Sequence, residues 1–240
     1  MLRLLVLQHS PWEGPGAILM RSVRKHRTTL HVVRVWEAPL PDFREYDGLL
    51  LLGGGANVDQ EAQYPFLAEE KRLLREAMAT DKPCLGFCLG HQLLAQALGA
   101  RIGPNFCTSV GFVQGHLTHD GRTHPAFAEL GQTIPLFKWH GQTVLEPVPK
   151  HLTVLMTSAE CQVEAISVAG RPHLVGVQFD NHAAAPEDVA LWLQKDQKWL
   201  SSIRDQEINP RHILEAARLH EKEIAADFEL FFARYLRLIR

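Results

Sequence analysis

The sequence predicts a three-layer α/β fold, in which helices cover both faces of a central, mostly parallel sheet and a helical extension follows at the C-terminus. Up to Ala100, apolar runs of strand length alternate with stretches of helix length. This alternation requires crossover connections, which place parallel strands side by side and helices on the faces of the sheet. With 240 residues and 46% apolar composition, the chain is long enough to bury a sizeable core.

The first part of the chain carries the alternating pattern. Its strands are predicted as continuous apolar runs, typical of strands buried on both faces; they cover 2–7, 30–36, 48–52 and 83–87. Its helices are predicted where apolar residues recur at helical spacing or where a glycine ends the pattern; they cover 16–26, 66–80 and 89–98.

Beyond Ala100 the pattern changes to shorter strands and then to two long helices. The strands are predicted around 109–118, 133–139, 152–157, 162–168 and 173–179, and the helices over 186–202 and 211–238. Because no internal repeat and no clear linker divides the chain, we expect one α/β domain over 1–203 and a helical extension over 204–240. The apolar stripe of the last helix predicts packing on the domain, with a homodimer contact as the alternative.

Composition excludes several classes of protein. The formal net charge of −2 and the lack of a basic run argue against a nucleic-acid binder. No apolar run approaches the ~20 residues of a membrane span, and Arg3 interrupts the short N-terminal run, which does not resemble a signal peptide. Four cysteines without a zinc-finger or disulfide pattern indicate a reducing compartment. We therefore expect a soluble, cytoplasmic protein without nucleic-acid or membrane partners.

The stretch Gly86-Phe87-Cys88-Leu89-Gly90 is the most informative motif. A nucleophile flanked by glycines at both second neighbours, after a strand and before a helix, is the pattern of a nucleophile elbow. The N-terminus of the following helix favours a thiolate, and its N–H groups can stabilise an oxyanion. The alternative is a buried cysteine in a tight strand-to-helix turn.

The run from Pro83 to Ala95, preceded by Leu50-Leu-Leu-Gly-Gly-Gly55, resembles the class I glutamine amidotransferase domain. It is similar in particular to free-standing proteins like the amidotransferase part of GMP synthase. The resemblance implies that Cys88 attacks the glutamine side-chain amide, giving a glutamyl thioester and ammonia. It further implies that Gly54 and Leu89 donate oxyanion-hole N–H groups and that Gln92 helps to hold the substrate.

The resemblance breaks where the family closes its catalytic triad. The family reads Gly-Val-Gln-Phe-His-Pro-Glu, whereas this chain reads Gly176-Val-Gln-Phe-Asp180-Asn-His182. Asp180 thus takes the position of the general base and His182 that of the orienting carboxylate. An ionised aspartate beside Cys88 raises the pKa of the thiol. In an extended strand the two side chains point to one side about 6.6 Å apart, so we weigh a reversed pair that bends towards Cys88.

Other positions qualify the site. His140 is a second candidate base near the substrate pocket, and Gln142 stands where the family has an aspartate for the substrate ammonium, which weakens a charge-assisted bond. We interpret His91 as a packing residue and Cys84 as a buried structural thiol. A histidine-rich stretch fits no tight zinc signature, so a solvated turn is favoured over a metal site at His116, His119 and His124. We expect neither metal nor cofactor.

Three functions therefore stay open. The first is hydrolysis of the glutamine amide through Cys88, with ammonia passed to a synthase partner, because the chain contains no recognisable synthase domain or nucleotide site. The second is a catalytically impaired relative that binds a small ligand or a partner protein and regulates it. The third is another cysteine-dependent hydrolase of amide or γ-glutamyl compounds.

Overall fold

The computed structural model describes residues 1–239 and contains a single nine-stranded sheet in that range. The strands are β1 (Arg3–Gln8), β2 (Thr29–Arg34), β3 (Gly48–Leu51), β4 (Cys84–Phe87), β5 (Arg101–Leu117), β6 (Thr133–Leu145), β7 (Leu152–Ser158), β8 (Ala165–Val168) and β9 (Arg171–Val177). They lie in the order β2-β1-β3-β4-β9-β8-β7-β5-β6. The five strands from β2 to β9 are parallel, and the others extend the sheet in antiparallel fashion.

Helices cover both faces of the sheet, as predicted. They are α1 (Gly16–Lys25), α2 (Phe66–Ala79), α3 (Leu89–Ala97), α4 (His119–Thr123), α5 (Pro186–Lys195), α6 (Gln197–Leu200) and α7 (Pro210–Leu238), with 3-10 turns at Phe43–Glu45 and Asn181–Ala183. Alternate residues of β1 point to opposite faces. Leu4 joins a core under α1, α5 and α7, whereas Leu5 joins a second core under α2 and α3. The predicted three-layer α/β fold is confirmed.

Several predicted boundaries differ from the observed ones. Strand β5 begins at Arg101 rather than near 109, with a register shift between Pro104 and Ser109 that interrupts the alternation of its side chains. The helix predicted over 186–202 divides at Asp196, whose carboxylate accepts a hydrogen bond from the Trp139 indole at 2.9 Å. This tertiary contact leaves no trace in local periodicity.

Two further predictions near strands need correction. The strand predicted over 162–168 begins only at Ala165, and β9 ends at Val177 rather than at 179. The histidine-rich stretch is not a solvated turn, because His116 lies in β5 and His119 begins α4. Thr118 caps that helix by accepting a hydrogen bond from the Gly121 N–H at 2.9 Å.

Helix α7 packs its apolar stripe against the rest of the chain. Asn209 caps its start, and eight residues of one face are buried: Ile213, Ala217, Ile224, Phe228, Phe231, Phe232, Tyr235 and Leu236. The Phe228 ring lies 6.2 Å from that of Phe87 in β4, so α7 supports a strand that leads into the candidate site. The helical extension is present as predicted, although Arg240, its last residue, lies outside the described residues. Over 1–239, no helix combines the length and the apolar character needed to cross a bilayer.

Truncation of the stripe is expected to destabilise the whole fold. Phe232→Ala removes a fully buried ring and should lower the free energy of unfolding by about 3–5 kcal/mol. Leu219→Ala, on the same helix at a side chain that is 77% exposed, should change it by less than about 0.5 kcal/mol. Urea unfolding of both variants measures the difference, and equal losses would contradict the packing of α7.

Candidate active site

Cys88 lies in the turn between β4 and α3 with backbone angles φ 47° and ψ −107°. A Cβ on Gly86 would lie 2.4 Å from the Gly90 carbonyl oxygen, and one on Gly90 would lie 2.3 Å from the Leu51 carbonyl oxygen. Only glycine fits at either position. The Cys88 N–H donates to the Val177 carbonyl at 2.9 Å, which fixes the turn against β9. The elbow predicted from sequence is therefore present, with strained backbone at the cysteine.

A cavity of about 320 Å³ opens above Cys88. It brings together five residues that the sequence singled out: Gly54, Cys88, Gln92, His140 and Gln142. Trp139 and Trp199 supply apolar walls, and Asp196 and Glu13 add carboxyl groups. Asp180 and His182 do not line the cavity, since each is only 1% exposed and lies beneath it. The volume suits a molecule of amino-acid size.

His9 and Glu70 hold the glycine loop beside Cys88, a role that sequence reasoning missed. His9 Nδ1 donates to the Gly53 carbonyl at 3.2 Å, and its Nε2 lies 2.9 Å from Glu70 Oε1. Burial opposes protonation of His9, but the charge and hydrogen bonds of Glu70 leave its pKa raised. Because the trans peptide between Gly53 and Gly54 has its C=O and N–H on opposite sides, this contact turns the Gly54 N–H away from His9.

The segment after β9 turns instead of staying extended, so the expected same-side arrangement of Asp180 and His182 is wrong. The Asn181 side chain accepts from the Phe137 N–H at 2.8 Å and donates to the Pro135 carbonyl at 2.9 Å, which clamps the turn to β6. His182 Nδ1 donates to the Pro15 carbonyl at 2.9 Å, and Nε2 lies 3.4 Å from Asp180 Oδ1. His182 thus lies behind Asp180 and does not face Cys88.

Asp180 lies next to the thiol. A Cβ on Gly53 would be 3.3 Å from Asp180 Oδ1 and 3.5 Å from the Cys88 Cβ. Burial raises the pKa of the Cys88 thiol well above its usual range, and the charges of Asp180 and Glu13 raise it further. Lys138 and the Leu89 N–H act in the opposite direction. The thiol is therefore neutral near pH 7.

Glu13 is the second residue that sequence reasoning missed. It lies in the loop after β1, is 6% exposed and lines the cavity. Burial raises its pKa to about 8, together with the negative charges of Asp196 and Asp180, while a hydrogen bond with Ser10 acts against the shift. The available signal was its position after the carboxyl end of a parallel strand, where α/β sheets place functional groups.

The polar residues on the far side of the cavity bond mainly to one another. Gln92 Nε2 donates to the Gln142 carbonyl at 2.9 Å and lies 3.2 Å from the Gln178 side-chain oxygen. His140 Nδ1 donates to the Gln142 carbonyl at 2.9 Å. Burial lowers the pKa of His140 well below its usual range, and Lys138 lowers it further. His140 is therefore a neutral and weak base.

One grouping of potential metal ligands occurs within residues 1–239, and it is not the histidine-rich stretch. His140, Cys161 and Glu164 place ligand atoms within 4.8 Å of one another. Glu164 is already paired with the buried Lys138 and accepts from the Ser158 hydroxyl at 2.6 Å. This arrangement neutralises the carboxylate through a lysine, which fits an ion pair better than a cation site.

His91 and Cys84 occupy the packing positions that we expected for them. Burial lowers the pKa of His91 to about 3, and a Cβ on Gly176 would come within 2.4 Å of its Nδ1. The Cys84 thiol is buried in β4, where burial raises its pKa to about 12. It contacts the Lys82 carbonyl at 3.3 Å.

Comparison with known proteins follows the same pattern. Residues 16–182 match the family model described as glutamine amidotransferase class-I. The glutamine amidotransferase-like protein YfeJ of Salmonella typhimurium is 28% identical over 165 residues, 67% of this chain and 68% of that protein. The glutamine-hydrolysing GMP synthase of Saccharolobus solfataricus has one subunit that is 27% identical over 59% of this chain and 70% of its own length. A glutamine amidotransferase structure from Thermotoga maritima has a TM-score of 0.86 at 25% identity, covering 100% of this chain and 98% of that one.

The His9–Glu70 pair is expected to matter for stability. Glu70→Ala leaves a buried imidazole without its partner and should cost about 3–5 kcal/mol of unfolding free energy. Glu69→Ala, at the exposed neighbour on α2, should cost less than about 0.5 kcal/mol. Urea unfolding tests both variants, and a Glu70→Ala protein as stable as Glu69→Ala would argue against the pair.

Glu13 is expected to destabilise the fold as pH rises. Its folded-state pKa of about 8 lies above the ordinary value of 4.5, so stability is complete below pH 4.5 and falls until pH 8. Glu13→Gln removes this loss and should raise stability at pH 7 by up to about 3 kcal/mol. Denaturant unfolding between pH 5 and pH 8 measures the slope. A wild-type slope that Glu13→Gln leaves unchanged would contradict the burial of an uncompensated carboxyl group.

Proposed function

Because the chain belongs to the class I glutamine amidotransferase family, we propose that it hydrolyses the side-chain amide of glutamine, or of a similar γ-glutamyl compound, with Cys88 as the nucleophile. The observation that carries the proposal is the position of Cys88, at a positive φ on the floor of the cavity beside Gly54 and Leu89. This geometry exposes the sulfur to an amide carbonyl. It also places backbone N–H groups where an oxyanion would form.

The proposed reaction passes through a covalent intermediate. The sulfur attacks the amide carbon, the C–N bond breaks, and ammonia leaves a glutamyl thioester that water then hydrolyses. Asp180 is the carboxylate nearest the thiol and accepts its proton as the sulfur attacks. Since an isolated carboxylate is a poorer match than imidazole for this transfer, we expect slow turnover.

The ammonia is proposed to pass to a synthase partner. Support comes from the Saccharolobus relative, whose name describes a glutamine-hydrolysing part of GMP synthase. The acceptor of this chain's ammonia is therefore an amination substrate held by another polypeptide. Turnover without that partner is expected to be lower still.

A second candidate function is binding without turnover, in which the cavity holds glutamine or a related ligand and the protein regulates a partner. The observation in its favour is Asp180 beside Cys88, because this carboxylate and Glu13 raise the pKa of the thiol. The elbow glycines are compatible with both functions, since the close backbone contacts at Gly86 and Gly90 require them whether or not Cys88 reacts.

Exchange of the two altered triad residues separates the candidates. Asp180→His combined with His182→Glu places an imidazole beside the thiol and a carboxylate behind it, so glutamine-dependent ammonia release should rise by about 100-fold. The pH midpoint for iodoacetamide alkylation of Cys88 should fall from above the ~8.5 of a free thiol to below it. Mass spectrometry of the Cys88 peptide gives the midpoint, and a coupled assay gives the ammonia.

Single substitutions serve as controls for that exchange. Cys88→Ala should abolish ammonia release in both backgrounds, whereas Cys107→Ser, at a half-buried thiol outside the cavity, should leave it unchanged. Release that persists in Cys88→Ala would contradict the proposed nucleophile. Glutamine binding by calorimetry with turnover only in the exchanged variant would favour the regulatory candidate, and turnover of γ-glutamyl esters alone would point to a different acyl substrate.

A further inference from the structure

Glu13 is a buried carboxyl group beside the reacting sulfur that the reaction described above does not use. Its Oε2 lies 3.2 Å from the point where a side chain on Gly53 would begin, and the same point is 3.3 Å from Asp180 Oδ1 and 3.5 Å from the Cys88 Cβ. Glu13 also lines the cavity above Cys88. Two carboxyl groups and the thiol therefore converge on one small space at the absent Gly53 side chain.

The surroundings of Glu13 favour its neutral form. The ionisable groups that face it are Asp180 after β9, Asp196 between α5 and α6, and the Cys88 thiol, and Ser10 contributes a hydrogen bond. No ion pair involves Glu13 within the described part of the chain, residues 1–239. The nearby His9 is engaged by Glu70 and His182 by the Pro15 carbonyl. Glu13 thus keeps its proton at neutral pH and can give it to a ligand in the cavity.

We propose that Glu13 is a further catalytic residue, the acid that protonates the nitrogen atom leaving from the substrate amide. The inference rests on the proposed function and deepens it. An amide nitrogen cannot leave as an anion, so a proton must reach it as the C–N bond breaks. In a site whose base is a carboxylate, a second and neutral carboxyl group can supply that proton.

The proton transfers balance over the whole cycle. The thiol proton moves to Asp180 as the S–C bond forms, and the Glu13 proton moves to nitrogen as the C–N bond breaks, which releases ammonia. Water then attacks the thioester and gives its proton to the Glu13 carboxylate. The C–S bond breaks, and sulfur takes back the proton held by Asp180. Both carboxyl groups return to their initial states, and nothing is oxidised or reduced.

Two substrates with different leaving groups test the role. Glutamine needs a proton on its leaving nitrogen, whereas the γ-p-nitrophenyl ester of glutamate releases a stable phenolate that needs none. Glu13→Gln should therefore lower kcat/KM for glutamine by at least about 100-fold and change kcat/KM for the ester by less than about threefold. It should also remove the alkaline fall in glutamine turnover that begins near pH 8 in the wild-type protein. Glu69→Gln, at an exposed residue on α2, is the control and should change neither substrate.

Specific outcomes overturn the proposal. Equal losses for amide and ester would mean that Glu13 only supports the structure, and an unchanged rate for glutamine would mean that it plays no part. A wild-type protein that turns over neither substrate would contradict the proposed function instead, and an infrared titration then decides the state of Glu13. A protonated carboxyl band at pH 7 that disappears in Glu13→Gln supports the acid, and its absence from the wild type overturns it.

Discussion

The site depends on the close approach of backbones around Cys88. The oxygen atoms of Gly90 and Leu51 lie where side chains on Gly86 and Gly90 would begin, so α3 is pressed against both β3 and β4. The hydrogen bond from the Cys88 N–H to Val177 adds β9 to the same junction. The packing of three parallel strands and one helix holds the cysteine in its left-handed conformation, because a free chain would relax from it at once.

This constraint explains which parts of the site could be predicted from the sequence. The elbow follows from a local rule about two glycines and a strand-to-helix turn, and the buried strands follow from apolar runs such as Leu49–Leu52. Glu13 and His9 could not be found in that way. They lie in a Gly- and Pro-rich loop whose path is set by contacts with residues far along the chain, such as the bond between His9 and Glu70. Asn181 is a similar case, since its clamp on β6 bends the segment that periodicity predicts to be extended.

Charge is distributed unevenly between the two sides of the cavity. Behind His140, the Glu164 carboxylate is compensated by Lys138, and both side chains are fully buried. Around Cys88, three carboxyl groups at Glu13, Asp180 and Asp196 approach one another without a lysine or arginine among the residues that line the cavity. Such a cluster costs stability, which is the pattern expected where a group is retained for its chemistry rather than for folding.

The replacement of the triad histidine by Asp180 also changes what the remaining groups must do. An imidazole can take the thiol proton and then give a proton to the leaving amine, because its neutral and charged forms are both accessible near pH 7. A single carboxylate beside a thiol cannot fill both roles, since the state that accepts a proton readily is a poor donor. Two carboxyl groups in different environments can divide them: Asp180, within 3.4 Å of His182 Nε2, takes the proton of the thiol, and the uncompensated Glu13 donates. On this mechanism the substitution at Asp180 and the burial of Glu13 are parts of one arrangement.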